Sequence, residues 1–359
     1  MNETLSEFHS ILIGVFKKLR NTDIKTMLKT LSEEIVYSFQ PELYLNNLVG
    51  DWRAEIRNLC TSLIESYESF NKGLISDCYA SVYDILFNQN TPSELGIETF
   101  LRSHTHLFRM RYSDQHYLFD KNEMLHIPYN FRTRISNQRY SISGFPCLYL
   151  GSSLYVCWEE LKRPDFGNAN SALFINNKRL RLIDLRFPKQ IDSKSSLLQF
   201  LLAACSSVKR SDATDSFKPE YIIPQAILHS LVKYNNTSVE QFDGIIYTSS
   251  MFWAKDKLWN DENLFTNIVI PAIYKSEYEV IKIGNNEYST KVIDDFEVLG
   301  PISYNIYDYK QESYTGCALQ DCNVLYRDSQ LYYNKNVGYD GYSYSKFHQL
   351  SSYLIANSK

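Results

Sequence analysis

The sequence predicts an α+β protein in which a helical module precedes a mixed core of short strands and helices. Three observations predict it. Through roughly the first 90 positions, apolar residues recur at spacings of three and four, the period of one helix face. Residues 88–93, NQNTPS, are polar and rich in turn formers, and read as a linker. Beyond them the pattern changes to short apolar runs broken by Gly, Pro, Asn and Ser, which is how strands alternate with turns and helices.

Each element follows from local chemistry. Leu5, Phe8, Leu12, Val15, Phe16 and Leu19 mark a first helix face, and Asn21-Thr22-Asp23 supplies a break and a cap. Ile24, Met27, Leu28, Leu31 and Ile35 mark a second face, which Gln40-Pro41-Glu42 ends. A longer helical region covers residues 48–87 and is interrupted at Asn71-Lys72-Gly73; its face includes Trp52, Ile56, Leu59, Cys60, Leu63, Ile64 and Tyr67. This module has no glycine-rich phosphate loop and no metal constellation, so packing, homo-oligomerisation or partner contact is its expected role. His104 and His106 in RSHTHLFRMRY would share a face in a strand, but no third ligand lies near them and no metal site is expected.

Cys147-Leu148-Tyr149-Leu150 reads as a buried strand, Gly151-Ser152-Ser153 breaks it, and either serine can cap a helix starting near Leu154. Pro164 stops that helix. Leu173-Phe174-Ile175 and residues 180–185 read as strands paired about the Asn176-Asn177-Lys178 turn. Residues 195–208 read as a helix with Leu197, Phe200, Leu201 and Ala204 on one face, and 209–218 as an exposed loop. Pro224 suits the first turn of a helix over 225–234. Residues 242–250 read as a buried strand delivering hydroxyls at its end, and 267–272 as a further strand. Tyrosines crowd the last 60 residues (Tyr304, Tyr307, Tyr309, Tyr314, Tyr326, Tyr332, Tyr333, Tyr339, Tyr342 and Tyr344). Few Lys or Arg accompany them, so packing or partner contact is preferred to nucleic-acid stacking.

Composition narrows the function classes. The 359 residues are 44% hydrophobic and 22% charged, ordinary values for a globular chain. A net charge of −4 and a pI near 6.0 argue against a general nucleic-acid binder. No apolar run approaches the roughly 20 residues of a membrane span, and the opening MNETLSEFHS is acidic where a signal peptide is basic. A cytoplasmic location is therefore expected. Seven cysteines without a pair of CxxC motifs fit reduced thiols; Cys317 and Cys322 are the nearest pair. Arg109, Arg111, Arg132, Arg134 and Arg139 fall within 31 residues, and phosphates are the ligands that guanidinium forks bind in a bidentate way. Arg109 and Arg139 are the better candidates, each beside an aromatic in an apolar setting.

Residues 139–161, RYSISGFPCLYLGSSLYVCWEEL, run in the order arginine, aromatic, turn glycine, strand tyrosine and, eleven residues later, glutamate. This stretch resembles the RES domain family. LFRMRY before it and EYIIPQ, FDGIIYTSS and NIVIPA after it extend the resemblance over about residues 105–275. The resemblance implies a core related to ADP-ribosyltransferases, with a bent mixed sheet. The domains are then a helical module over 1–90, a RES-like NAD-binding catalytic domain over 100–300, and a tyrosine-rich extension over 301–359 packed on the core.

The resemblance also implies a site. Arg109 and Arg139 become the arginines that clamp a pyrophosphate, Tyr149 the strand tyrosine, Glu160 the glutamate and Ser249 the serine. Glu159 adjoins Glu160 and Ser250 adjoins Ser249; the family's tyrosine-to-glutamate spacing favours Glu160, and the Gly-Ile-Ile-Tyr-Thr lead favours Ser249. The sequence departs from the family at Tyr140-Ser141, where a tryptophan-asparagine pair is usual, and in a long spacer between the arginines. Cleavage of a nicotinamide–ribose bond passes through an oxocarbenium-like state that a carboxylate stabilises. A toxin-like NAD glycohydrolase or NAD phosphorylase is implied, with NAD as its substrate, no metal, growth arrest through NAD depletion, and an inhibitory antitoxin or other protein as partner. The alternatives are an ADP-ribosyltransferase acting on a protein or nucleic acid, and a non-catalytic partner-binding protein on a RES scaffold.

Overall fold

Helices come first because the apolar stripes of the opening segment have nothing to alternate with. A computed structural model of the chain describes residues 2–38, 51–114, 117–209, 215–253, 262–274, 276–308, 326–327, 330–331, 342 and 345–358. Its elements are α1 (Asn2–Leu19), α2 (Ile24–Glu33), α3 (Trp52–Asn71), α4 (Ile75–Tyr83), β1 (Glu98–Leu101), β2 (His106–Arg111), β3 (Cys147–Gly151), α5 (Leu154–Glu160), β4 (Asn170–Asn176) and β5 (Leu180–Leu185). They continue with α6 (Lys194–Ser206), α7 (Ile222–Thr237), β6 (Gly244–Thr248), β7 (Thr266–Pro271), β8 (Val280–Ile283), β9 (Asn286–Ser289), α8 (Thr290–Asp295), β10 (Phe296–Ser303) and α9 (Lys346–Ala356). The architecture is α+β, as the sequence predicts. Cys317, Cys322 and most of the late tyrosines lie outside the described residues.

The chain forms two compact units that interleave along the sequence. One comprises Met1–Leu101, Thr133–Phe145 and Leu180–Ser250; the other comprises Arg102–Arg132, Pro146–Arg179 and Met251–Lys359. In the first unit, Asp23 caps α2 by accepting from the Thr26 N–H at 2.9 Å, and Asp51 caps α3 through Ala54 at 3.1 Å. Such caps contribute about 1 kcal/mol each. Phe8, Leu12 and Phe16 of α1 are fully buried at the i, i+4, i+8 spacing of one face. Phe16 lies 4.9 Å from Phe187 and meets Phe200 of α6 edge-on at 6.5 Å. Tyr79 of α4 contacts His229 of α7 at 4.7 Å. The N-terminal helices thus share a core with α6, α7 and a three-stranded ladder, in which β5 pairs antiparallel with β1 and parallel with β6.

In the second unit five antiparallel strands run in the order β7-β3-β2-β4-β10. One apolar cluster joins Phe108 and Met110 of β2, Leu154, Tyr155, Val156 and Trp158 of α5, and Phe347, Leu350 and Leu354 of α9. Phe347 stands 5.3 Å from both Tyr155 and Trp158, so α9 fixes the inner face of α5. Gly151 ends β3 where α5 comes close: a Cβ there would fall 2.6 Å from Val156 and 2.7 Å from the Cys157 sulfur. Tyr304 and Tyr307 are buried in the same cluster, the packing role expected of the late tyrosines.

One local expectation changes. The strands β4 and β5 do not form a hairpin about Asn176-Asn177-Lys178. β4 instead pairs with β2 and β10, and β5 with β1 and β6. The Asn176 side chain explains why no hairpin turn forms, since it donates to the Arg102 and Lys178 carbonyls and accepts from the Thr105 N–H. His104 and His106 are both exposed, in keeping with the expectation of ordinary surface or core histidines. His104 has φ of 59° outside β2 and His106 is the exposed first residue of β2. Among the described residues, no group of three His, Cys, Asp or Glu side chains could hold a metal ion. No described helix is long and apolar enough to cross a membrane.

Candidate functional site

Three of the five predicted side chains lie in the second unit. Arg109 is half-buried on β2 and directs Nη1 toward the Tyr149 carbonyl on β3 at 3.5 Å. Burial, then the neighbouring Arg111 charge, lowers its pKa to about 10, while Cys157 and Tyr149 act the other way. It remains a cation at neutral pH.

Glu160 is the last residue of α5, whose first turn Ser153 caps by accepting from the Val156 N–H at 3.1 Å. The Glu160 carboxylate is exposed and accepts a 2.8 Å hydrogen bond from Asn267 Nδ2 of β7. Cys157 links it to Arg109. Its sulfur lies 3.3 Å from the Phe108 carbonyl, and its pKa is pushed up to about 12, first by burial and then by Glu160, with Gly151 and Arg109 opposing. Both charges therefore act on one neutral thiol.

The adjacent glutamate behaves differently. Residues 157 and 160 share one face of α5, whereas 155 and 159 share another. Glu159 is buried at 2% exposure, held by Arg163 at 3.0 Å, with Oε1 left without a partner. Glu160 is thus the carboxylate on the side of Cys157 and Arg109. His126 completes the surroundings of Arg109. Its Nε2 accepts from the Ser289 N–H at 3.0 Å, so Nδ1 carries the proton donated to the Ile127 carbonyl at 2.8 Å. Burial, with Arg109 and Arg132 adding to it, lowers its pKa to about 4.

Arg139 and Ser249 belong to the first unit. Arg139 is buried, stacks over Tyr221 at 5.2 Å and donates from Nη1 to the Ser206 carbonyl at 2.9 Å and from Nη2 to the Val208 carbonyl at 3.0 Å. Gln225 of α7 holds the turn that carries Arg139, donating from Nε2 to the Gln138 carbonyl at 2.9 Å and to that of Ser141 at 3.4 Å. Ser249 follows β6 directly and is fully buried. Tyr140 is fully buried with its ring 4.4 Å from that of Tyr247.

Sequence reasoning missed Asn267, Gln225 and Arg20. Asn267 was legible as one amide among the apolar residues of NIVIPA. Gln225 ends the EYIIPQ motif but had no assigned role. Arg20 gave no signal, because a cation just past a helix end is an ordinary solvated feature.

With this geometry in place, the comparisons with known proteins become informative. The RES domain model matches residues 106–271, from the first residue of β2 to the last of β7. That segment, a little under half of the chain, is similar to the RES domain. The chain is also 30% identical over 226 residues to the Bacillus subtilis (strain 168) protein named "Putative toxin YopC". That alignment covers 57% of this chain and 48% of the relative, so the chain spans about half the relative's length. No solved structure matches the chain.

Proposed function

We propose that this chain is a toxin-like enzyme that cleaves the nicotinamide–ribose bond of NAD and arrests growth by depleting it. The observation that carries this reading is Glu160, an exposed carboxylate fixed by Asn267 on the Arg109 side of α5. In the reaction the C1′–N bond breaks and its electron pair stays on the nicotinamide nitrogen, so nicotinamide leaves neutral and needs neither a general acid nor a metal. The Glu160 carboxylate offsets the positive charge that develops on the ribose. Water then adds at C1′ and releases a proton to give ADP-ribose, or phosphate adds to give ADP-ribose 1″-phosphate. Arg109 and Arg139 are the arginines assigned to the pyrophosphate, Tyr149 is assigned to stacking or hydrogen bonding, and Ser249 to orienting the ribose or nicotinamide. A cytoplasmic location and restraint by an inhibitory protein belong to the same reading, and the toxin name of the relative supports it.

Incubation of the purified protein with NAD, with and without phosphate, and identification of every product by mass tests this. Free nicotinamide with ADP-ribose or its 1″-phosphate is expected. Unchanged NAD, at enzyme concentrations matching the substrate, would sink the enzyme reading.

A further inference from the structure

Arg20 is a poorly compensated buried cation of the first unit. It follows α1, outside the RES segment, and is only 9% exposed. Its Nη2 donates to the Ser250 carbonyl at 3.2 Å, while its Nε is buried with no acceptor among the described residues. Its own carbonyl accepts from the Lys209 N–H at 2.9 Å. Arg139, equally buried, grips the Ser206 and Val208 carbonyls of the same short segment. The Arg139 guanidinium and the Arg20 backbone thus both hold residues 206–209, and the Arg20 guanidinium reaches the residue after Ser249.

No carboxylate pairs with either among the described residues. Arg139 has two carbonyls at the C-terminal end of α6, where the helix dipole favours a cation. Arg20 has one carbonyl and an orphaned donor. Burial and the Arg139 charge lower the Arg20 pKa to about 10, which leaves it charged at neutral pH. Burying two like charges without a counter-charge is unfavourable, and leaving a buried donor unpaired adds to the cost. An anion that accepts from Arg20 Nε removes both penalties. Phosphate oxygens suit such a donor pair best, because they accept several charge-assisted hydrogen bonds at once.

We infer that Arg20 is a phosphate-binding residue, a second guanidinium that the N-terminal helical segment adds beside Arg139 to hold a pyrophosphate. The identity of that pyrophosphate as part of NAD rests on the function proposed above; the anion site itself does not. The sequence segment with no catalytic motif of its own then has a direct role in ligand binding.

Titration calorimetry of the full chain with inorganic pyrophosphate tests the site, and steady-state NAD cleavage tests its use. Arg20→Gln should weaken pyrophosphate binding about 10- to 100-fold, the loss of one charge-assisted hydrogen bond. It should raise KM for NAD similarly, with kcat changed much less and with binding of nicotinamide riboside, which has no phosphate, unchanged. Arg20→Lys keeps the charge and should recover part of the loss. If Arg20→Gln has no cooperative melt by circular dichroism, the lysine variant decides: intermediate affinity supports the site, and wild-type affinity overturns it. Equal pyrophosphate affinity in wild type and Arg20→Gln, or none in wild type, overturns the inference. NAD cleavage with a KM indifferent to Arg20 overturns it too and leaves the proposed function standing. Arg20-dependent pyrophosphate binding without NAD cleavage supports the site and sinks the function instead.

Discussion

Two pairs of arginines meet the problem of packing like charges, and they meet it differently. Arg109 and Arg111 lie two positions apart on β2. Arg111 lies over the Phe119 ring at 4.4 Å, donates to the Glu123 carbonyl, and feels the Glu123 carboxylate, which opposes the lowering of its pKa by burial. Glu123 is itself held by the Asp120 N–H at 2.8 Å and the Tyr117 hydroxyl at 3.1 Å. Among the described residues, Arg20 and Arg139 have only backbone carbonyls and the Tyr221 ring. The first pair brings a counter-charge from its own unit, whereas the second leaves the negative charge to be supplied. Cation clusters that carry their own carboxylate are structural by default; those without one are candidates for anion binding.

The largest effect expected bears on the negative group. Glu160→Gln keeps size and the Asn267 contact but removes the charge. NAD cleavage should fall about 100- to 1,000-fold, as when other electrostatic stabilisers are lost, with NAD affinity changed by less than about threefold. Expression of the wild type should deplete NAD and stop growth, while the glutamine variant should be tolerated. Full toxicity of Glu160→Gln with NAD intact would put the non-catalytic alternative in place of the enzyme.

Next comes the arginine pair without a carboxylate. Arg139→Lys keeps a positive charge but cannot span the Ser206 and Val208 carbonyls with one planar fork. NAD affinity should weaken about 10- to 100-fold in calorimetry, by the loss of a charge-assisted bond. An unchanged affinity would remove the contrast between the two pairs.

How far the sequence could anticipate these features depends on their range. The helices, a serine cap before α5 and most core residues of α1, α2 and α3 were legible because periodicity and capping are local; which of Ser152 and Ser153 caps was not. The separation of β4 from β5 was not, since an apolar run does not encode its partner and the Asn176 contacts reach back to Arg102 and Thr105. The same holds within the candidate site. Arg109, Tyr149 and Glu160 come from motifs, and the structure sets Arg109 beside Tyr149 and Cys157, with Glu160 acting on Cys157 as well. Arg20 becomes conspicuous only through Ser250, 230 positions further on.

A third prediction tests the pair on β2 through its neighbour. His126 is neutral in the fold, with a pKa lowered from 6.5 to about 4 by burial and by the Arg109 and Arg132 charges. The unfolded chain therefore binds more protons below pH 6.5. The stability is fully present above that value and is lost as pH falls toward 4. Chemical unfolding should show about 2 kcal/mol lost between pH 7 and 5 from this group. Since other histidines also titrate, the readout is the difference from His126→Asn, which should lack this part of the slope. Parallel slopes would show that His126 does not add a third charge beside Arg109.

The smallest effect is the sharpest test of the comparison. Arg111→Gln removes a cation that already has Glu123 as its counter-charge and Phe119 as its platform. The loss should appear as stability, about 1 kcal/mol for one hydrogen bond and a partly buried cation–π contact, read from the urea midpoint. KM for NAD should stay within about twofold of wild type, because no ligand is needed to complete the charge balance around Arg111. If Arg111→Gln instead raises KM as much as Arg139→Lys while stability holds, then an internal carboxylate does not mark an arginine as structural. The distinction between the two pairs would then have to rest on ligand geometry alone.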